Sequence, residues 1–414
     1  MKTIWVIAAG EPLPLEDSKD RLHRVGILAE KLSNMGISVV WWTSSVDHFN
    51  KKQLVNNTET KQISNNYSIV LIHSLLYKKN ISISRILNHI GLAKRFKKLA
   101  LNYPKPDIIL SAFPTIELSL EAVNYGKRNN IPVIIDARDM WPDIFIDSIP
   151  KHFQWIGKII FQPMFKSTKL VFNRASAIVG ITEGFVDWGI KYAEREKTLY
   201  DRSFYLAYPK TEHNIKDVNN ALKKFTNLGV TGKDFIISFV GAISKNKSDL
   251  ESVIEVIGEI GISYPNLRLV ICGLGDDLEY FKSISKNFTN IIFPGWINAV
   301  EISTLLAISK LGLAPYRNRN DYLLSIPNKP IEYFSYGLPV LTSLRGELKK
   351  IIENHEVGYY YKSKNELLLI LARIMCQPNV LNRLSENSAS LYKNKFRAEK
   401  IYEEYANYLI SFKN

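Results

Sequence analysis

The 414-residue chain carries 54 Lys and Arg against 40 Asp and Glu, a net charge of +14, with 46% hydrophobic residues. That length suits two or three cores, since single cores stop growing near roughly 250–300 residues, and the composition excludes a disordered or fibrous chain. The basic excess favours an anionic partner, whether nucleic acid, phosphorylated ligand or acidic membrane face, while two cysteines, Cys272 and Cys376, exclude a disulfide framework or cysteine-based zinc site and fit a cytosolic setting.

Residues 3–9, TIWVIAA, form a continuous apolar run, the mark of a strand buried on both faces. Leu22, Val25, Leu28, Ala29 and Leu32 then recur at helical spacing, with Asp20 as the expected N-cap and Gly36 as the stop. Residues 37–43 read as a second strand, so the chain opens as βαβ with parallel strands. Strands follow at 107–112, 132–136 and 177–182, with a helix at 117–129. Residues 206–234, polar and with two glycines, read as a linker. The alternation then restarts, with strands at 235–240, 267–272, 291–293, 311–314 and 339–342. Helices are expected at 248–260, 278–286, 299–309 and about 330–336, and several more beyond. Two successive doubly wound α/β units imply a ligand cleft at the carboxyl ends of both sheets. No apolar stretch approaches the roughly 20 residues of a membrane-spanning helix. Glu11, Glu16 and Asp17 follow the first strand at once, which argues against a signal peptide.

Several chemistries lack their motifs. There is no phosphate loop of the G-x-x-x-x-G-K-[ST] type, no H-E-x-x-H pair and no G-x-S-x-G elbow. Gly273-Leu274-Gly275 follows a strand but lacks the third glycine of a dinucleotide fingerprint. No D-x-D triplet occurs, so no dedicated divalent-metal site is expected, and bound phosphates must be met by protein cations and helix N-termini.

The strongest local signal is residues 325–340, SIPNKPIEYFSYGLPV. It reads as a turn, a short helix bearing Glu332, a glycine stop at Gly337 and a strand. A carboxylate there can accept both hydroxyls of a ribose, and Lys329 with the helix N-terminus can hold a diphosphate. The plainer alternative makes Lys329 and Glu332 solvated helix residues. This stretch resembles the nucleotide-ribose motif of glycosyltransferase family 4, with its GT-B fold, in the variant P-x-K-x-x-E-Y-x-x-x-G-x-P-V. The segments EPLPLEDSKDRLHRVGILAEKL (11–32), FPTIELSLEAV (113–123), DARDMWPDIF (136–145), VDWGIKYA (186–193) and PGWINAVEISTLLAISKLGLAPY (294–316) are similar to the WbuB-like branch, which builds O-antigen and related surface polysaccharides.

The resemblance implies an acceptor-binding domain at 1–205, onto which a helix at 396–414 packs back, and a donor-binding domain at 206–395. It implies a retaining, metal-independent transferase without a cofactor. The donor would be a nucleotide-diphosphate sugar, UDP-linked and N-acetylated or deoxy, and the acceptor a polyprenyl-diphosphate-linked oligosaccharide at the cytoplasmic face of a bacterial plasma membrane. Gly241, Gly273, Lys247 (or its neighbour Lys245), Lys329, Glu332 and Tyr333 would bind the donor. Asp136, Arg138 and Asp139 would serve catalysis, and Arg21, Arg24 and Trp141 the acceptor or a phosphate. Two departures stand out. Leu324 replaces the first glutamate of an E-x7-E pair, and Lys19-Asp20 replaces a glycine pair, leaving side-chain charge from Arg21 and Arg24 to substitute. Trp296 is expected in the core, or else beside the nucleotide base. Loss of the diphosphate leaves positive charge on the sugar ring, and preorganised cations on the leaving group are the largest available help.

Residues 60–106 hold no acid, and Lys94, Arg95, Lys97 and Lys98 surround Phe96, the pattern of a helix lying in an anionic membrane interface. A second acid-free interval spans 148–182. An ordinary domain helix with solvated cations gives the same pattern. Two other functions fit part of the sequence. A GT-B nucleotide-sugar epimerase leaves these basic intervals unexplained. A nucleic-acid-binding module fits the charge, but no helix-turn-helix, zinc-finger or RNP-like signature occurs, so no nucleic-acid partner is expected.

Overall fold

The computed structural model describes residues 1–15, 21–80, 82–210 and 212–412. The chain divides into two compact units, Met1–Leu206 together with the segment from Ala398, and Ala207–Arg397.

In the first unit the strands are β1 (Thr3–Ile7), β2 (Ser38–Ser44), β3 (Val46–Asp47), β4 (Lys52–Gln53), β5 (Glu59–Ser64), β6 (Tyr67–Ile72), β7 (Ile108–Phe113), β8 (Val133–Ala137), β9 (Ala177–Gly180) and β10 (Arg202–Ser203). Eight of them form one sheet in the order β10-β9-β8-β7-β1-β2-β6-β5, and β3 and β4 pair as a small antiparallel ribbon. All neighbours in the large sheet are parallel except β5, which runs antiparallel to β6 at the edge. The order reverses between β1 and β7, and the crevice outside their carboxyl ends is the natural ligand position.

Four of the five β1 residues are buried, because helices cover both faces of a parallel sheet. Trp5 on β1 and Trp42 on β2 meet edge to face at 4.9 Å, and Phe96 packs on Trp42 at 5.2 Å. Full burial of one such ring contributes about 1.5–3 kcal/mol. The helix Ala398–Ser411 packs on the helix Arg24–Asn34. Lys2 Nζ donates to the carbonyls of Leu409 and Ile410 at 3.3 and 2.7 Å.

In the second unit the strands are β11 (Phe235–Val240), β12 (Leu267–Cys272), β13 (Ile291–Gly295), β14 (Leu311–Ala314), β15 (Val340–Thr342) and β16 (Gly358–Tyr360). They form one parallel sheet in the order β13-β12-β11-β14-β15-β16, which reverses between β11 and β14. Ile237, Phe239, Leu269, Ile271 and Leu313 meet Ile254, Ile257 and Leu367 from the covering helices in one core.

Three expectations are corrected. The segment 206–234 is not a linker, because it contains the helix Ile215–Asn227, which buries Ala221 and Phe225. Phe225 joins Val230, Ile236, Val270 and Leu305 in a second cluster, and Lys224 pairs with Glu301 at 2.8 Å. Its apolar stripe is so narrow that the sequence reads as loop. The β5–β6 hairpin was absent from the expected strands, since ETKQIS shows little alternation. Phe96 does not face outward. It is 0% exposed and completes the Trp5–Trp42 cluster, while Lys94, Arg95, Lys97 and Lys98 of the same helix, Ile83–Leu99, are exposed. Arg95 donates to the His73 carbonyl and Lys97 lies 3.7 Å from Glu121, as on an ordinary amphipathic helix. The expected N-cap Asp20 and the Lys19-Asp20 position lie outside the described residues. Among the described residues, no helix is long and apolar enough to cross a membrane.

Candidate active site

In the second unit the loops leaving β11 and β12 lie against each other. Gly241 has φ +142° and Gly273 φ +135°, conformations that L side chains rarely adopt. Gly241 N–H donates to the Cys272 carbonyl at 2.9 Å, and Ile243 N–H to the Leu274 carbonyl at 3.0 Å. A Cβ on Gly273 would collide with the Gly241 carbonyl, and one on Gly275 with the Ile243 carbonyl. The glycines are therefore required by the closeness of two backbones.

Lys329 enters this corner from the helix Asn328–Ser335. A Cβ on Gly241 would overlap its Cε and stand 2.7 Å from Nζ. The ammonium sits 3.8 Å from the Phe239 ring centre and 5.3 Å from that of Tyr316. Burial, and then the nearby Lys247, push the Lys329 pKa down to about 7. No carboxylate pairs with Lys329 among the described residues. A desolvated cation without a counter-ion, beside glycine turns and a helix N-terminus, suits an anion such as a diphosphate.

Glu332 is half-buried one turn further along, on the face that carries Lys329. Lys247 is exposed, and its carbonyl accepts from Arg317 N–H at 2.9 Å. Lys245 turns away, with its ammonium 3.1 Å over the Tyr280 ring, so of the two lysines Lys247 is the one that acts on Lys329. Tyr333 is a correction. It is buried, its hydroxyl donates to the Leu313 carbonyl at 3.2 Å, and it accepts from Val240 N–H at 3.3 Å. It ties β11 to β14 and positions the Gly241 turn without facing a ligand. Trp296 is also corrected: at 66% exposure it lies outside the core, directly after Gly295, whose carbonyl accepts from Gly273 N–H at 2.8 Å.

In the first unit Asp136, at the end of β8, is 0% exposed. Its Oδ1 and Oδ2 accept from Arg24 Nη2 at 3.0 Å and Nε at 2.9 Å, and Oδ2 also accepts from Arg138 Nε at 2.8 Å. Burial alone raises its pKa, but the two guanidiniums more than offset this and hold the carboxyl below the usual range. Arg24 also donates to the carbonyls of Phe204 and Tyr205 and lies 4.9 Å over the Tyr405 ring. The expected catalytic role of Asp136 and phosphate-binding role of Arg24 are therefore corrected, because neither side chain reaches the surface. They are positioning residues. Arg138 reaches further out, to Glu11, and its Nη2 has no hydrogen-bond partner among the described residues. Glu11 Oε2 accepts from Val25 N–H at 2.8 Å, at the start of the helix Arg24–Asn34. Asp139 is half-buried and accepts from Met140 N–H at 2.8 Å, and Arg21 is exposed.

Trp141 is half-buried, 4.7 Å from Phe145 and 6.1 Å from His89, with the Arg85 guanidinium 5.1 Å over its ring. Glu11 and Arg85 were not among the expected residues. An acid directly after Gly10, at the end of the first strand, was the available signal for Glu11. For Arg85 there was none, since its partners come from distant loops.

These paired sheets, each with a strand-order reversal, are those of the GT-B fold. The chain superposes over 99% of its length, and 98% of the other chain, on sucrose-phosphate synthase from Thermosynechococcus elongatus, with a TM-score of 0.71 at 15% identity. It superposes in full on all of HepE from Anabaena, solved in complex with UDP-glucose, with a TM-score of 0.63 at 14% identity. Residues 221–391 match the family model described as Glycosyl transferases group 1. In sequence the chain is similar to alpha-monoglucosyldiacylglycerol synthase of Acholeplasma laidlawii, 25% identical over 164 residues, 39% of this chain and 40% of that protein. The chain spans less than half the length of the curated relatives it matches.

Proposed function

We propose that the protein is a glycosyltransferase that moves a sugar from a nucleotide-diphosphate donor, UDP-linked and N-acetylated or deoxy, to a polyprenyl-diphosphate-linked oligosaccharide in surface-polysaccharide assembly. The single observation that carries this reading is the desolvated Lys329 ammonium against the Gly241 and Gly273 turns. The family match over 221–391 falls in the same unit. HepE, similar in fold, was solved with UDP-glucose, and the Acholeplasma relative is named for a glycolipid product.

Lys329 and Lys247 meet the diphosphate and take up the negative charge that develops as it leaves. Glu332 accepts the ribose hydroxyls. Departure and attack on one face of the ring retain the anomeric configuration, and the leaving phosphate oxygen takes the acceptor proton. Protein cations fill the role a divalent ion would otherwise have, so no metal is required. Arg138, Asp139 and Trp141 orient the acceptor in the first unit. The protein docks on the inner face of the plasma membrane through exposed Ile83, Ile86, Leu87, Trp155, Ile159 and Ile160 with neighbouring lysines.

A panel of UDP-, GDP- and dTDP-sugars, scored by thermal shift on the parent and Glu332→Gln, tests this reading. UDP-sugars should stabilise the parent, and the variant should bind them more weakly by about 1.5–3 kcal/mol. No shift with any nucleotide sugar, or equal shifts in both proteins, rejects it.

A further inference from the structure

A second cation-rich corner lies in the first unit, at the carboxyl edge of its sheet. His48 follows β3, Tyr77 follows β6, Trp141 follows β8, and Arg85 stands in the first turn of the helix Ile83–Leu99. The Arg85 guanidinium lies between two aromatic faces, 5.8 Å from the Tyr77 ring centre and 5.1 Å from that of Trp141. The Lys51 ammonium lies 5.2 Å over the same Tyr77 ring. Lys51 Nζ donates to the His48 carbonyl and to Asn80 Oδ1 at 2.5 Å each, and Arg85 Nη1 donates to the Asn80 carbonyl at 2.7 Å. These oxygens are all neutral. Arg85 Nε is buried and has no hydrogen-bond partner among the described residues.

Among the described residues the Asp47 carboxylate acts on Lys51, and no carboxylate pairs with Arg85. His48 Nδ1 bonds the Tyr77 hydroxyl at 2.7 Å, and His89 Nδ1 lies 3.8 Å from Glu117. Burial first, and then neighbouring cations, push the imidazoles down to about 4 and about 3, so both are neutral. Burial likewise raises the Glu117 pKa, and with His89 neutral that contact is no ion pair. Asp47 is engaged in its own turn, accepting from Phe49 N–H, Asn50 N–H and Asn50 Nδ2 at 2.9, 2.9 and 2.8 Å.

We propose that Arg85 and Lys51, walled by Tyr77 and Trp141, form a binding site for the diphosphate headgroup of a prenyl-linked acceptor. Two adjacent cations match the two phosphates, and a guanidinium fork suits phosphate oxygens. The surroundings select a lipid-borne diphosphate over a free one. Ile83, Ile86 and Leu87, on the helix that carries Arg85, are exposed on one face, and Leu75 and Leu76 precede Tyr77. From Trp141 an aromatic run continues through Phe145 to Phe161 at 4.7 and 5.4 Å, next to the exposed Trp155, Ile159 and Ile160. An isoprenoid tail lies along this apolar collar while its headgroup sits in the basic corner.

The proposal rests on the lipid-linked acceptor read above, and it is tested apart from the donor. Farnesyl diphosphate, below its micelle concentration, and inorganic pyrophosphate are titrated calorimetrically into the full chain saturated with UDP. UDP binding is measured separately. Farnesyl diphosphate should bind at least about tenfold more tightly than pyrophosphate, and Arg85→Gln and Lys51→Met should each weaken it by about tenfold or more with UDP affinity unchanged. Ile86→Glu, on the exposed face, should bring farnesyl diphosphate down to the pyrophosphate level. Equal farnesyl diphosphate binding by parent and Arg85→Gln, or none by the parent, overturns the site. Equal affinity for the two probes overturns the lipid assignment. Failure of UDP binding with farnesyl diphosphate binding intact overturns the donor reading and supports this one.

Discussion

The Lys329 ammonium occupies the space that a side chain on Gly241 would need, with Nζ 2.7 Å from the position of such a Cβ. The glycine and the lysine thus form one device: an open backbone turn with a desolvated cation laid across it. Gly241→Ala must displace the lysine and strain a backbone at φ +142°. UDP affinity should fall at least about tenfold, or ~1.4 kcal/mol. Calorimetric titration of parent and variant checks this, with the melting temperature reporting on folding.

Lys329 also predicts a pH dependence. Burial and Lys247 lower its pKa from 10.5 to about 7, and the diphosphate of the proposed donor would restore its charge. UDP affinity should fall as pH rises from 7 to 9, with proton uptake near neutrality, and Lys329→Met should flatten both. In the unfolded chain the lysine keeps its proton up to its ordinary pKa. Between about pH 7 and 10 the unfolded state therefore binds more protons, and the contribution of Lys329 to stability rises with pH. Lys329→Met should raise the melting temperature most below pH 7. Titration in buffers of different ionisation enthalpy, with melting curves across pH, reads both effects.

Asp136, itself fully buried, holds two guanidiniums. Asp136→Ala leaves Arg24 unpaired and Arg138 with Glu11 alone, and should destabilise the first unit by about 3–5 kcal/mol, whereas a paired replacement, Asp136→Leu with Arg24→Met, should recover much of that loss. Because its folded pKa lies below the ordinary value, the contribution of Asp136 is complete above the unfolded carboxylate pKa of about 3.9 and disappears as pH falls through the folded pKa. Denaturant unfolding of the three proteins at pH 7 and pH 3 separates these outcomes.

Transfer should proceed in excess EDTA. The sequence has no D-x-D triplet, and in the proposed reaction Lys329 with the neighbouring helix N-terminus would meet the leaving diphosphate. Radiolabelled sugar transfer with chelator, and with added Mg²⁺ or Mn²⁺, decides the point: turnover abolished by chelation and restored by metal refutes the expectation.

Binding to anionic vesicles should depend on the exposed apolar residues more than on the far end of the helix Ile83–Leu99. Trp155→Asp with Ile159→Asp should remove the salt-resistant part of binding. Reversing Lys94, Arg95, Lys97 and Lys98 to Glu should reduce only the salt-sensitive part, at about 1 kcal/mol per cation. Co-sedimentation at low and high salt tests this, and equal binding by all three proteins excludes a membrane role for both surfaces.

The central strands were legible because burial on both faces leaves unbroken apolar runs, as in TIWVI and FIISFV. The β11 and β12 turns were marked by glycines whose conformation other residues cannot adopt. Other features depend on partners distant in sequence. Phe96 faces inward because Trp5 and Trp42 are there to receive it. Asp136 meets Arg24 across 112 positions, so neither half of the pair reveals its burial. Ile215–Asn227 hides because a helix that buries two residues looks like a loop. The lowered pKa of Lys329 arises from its burial and from Lys247, neither of which the ribose-motif spacing includes.

The helix Ala398–Ser411 belongs to the first unit although the whole second unit precedes it in the chain. It brings Tyr405, stacked on Phe204 at 4.2 Å and lying under the Arg24 guanidinium, together with the carbonyls that hold Lys2. During ribosomal synthesis the first unit therefore waits. Its sheet can form early, but the wall that seals Arg24 and Asp136 emerges only after the second unit has been made. A released chain truncated after Arg397 would carry a complete second unit beside a first unit whose central ion pair is still wet, and proteolysis of such truncated chains should cut the earlier-made half first.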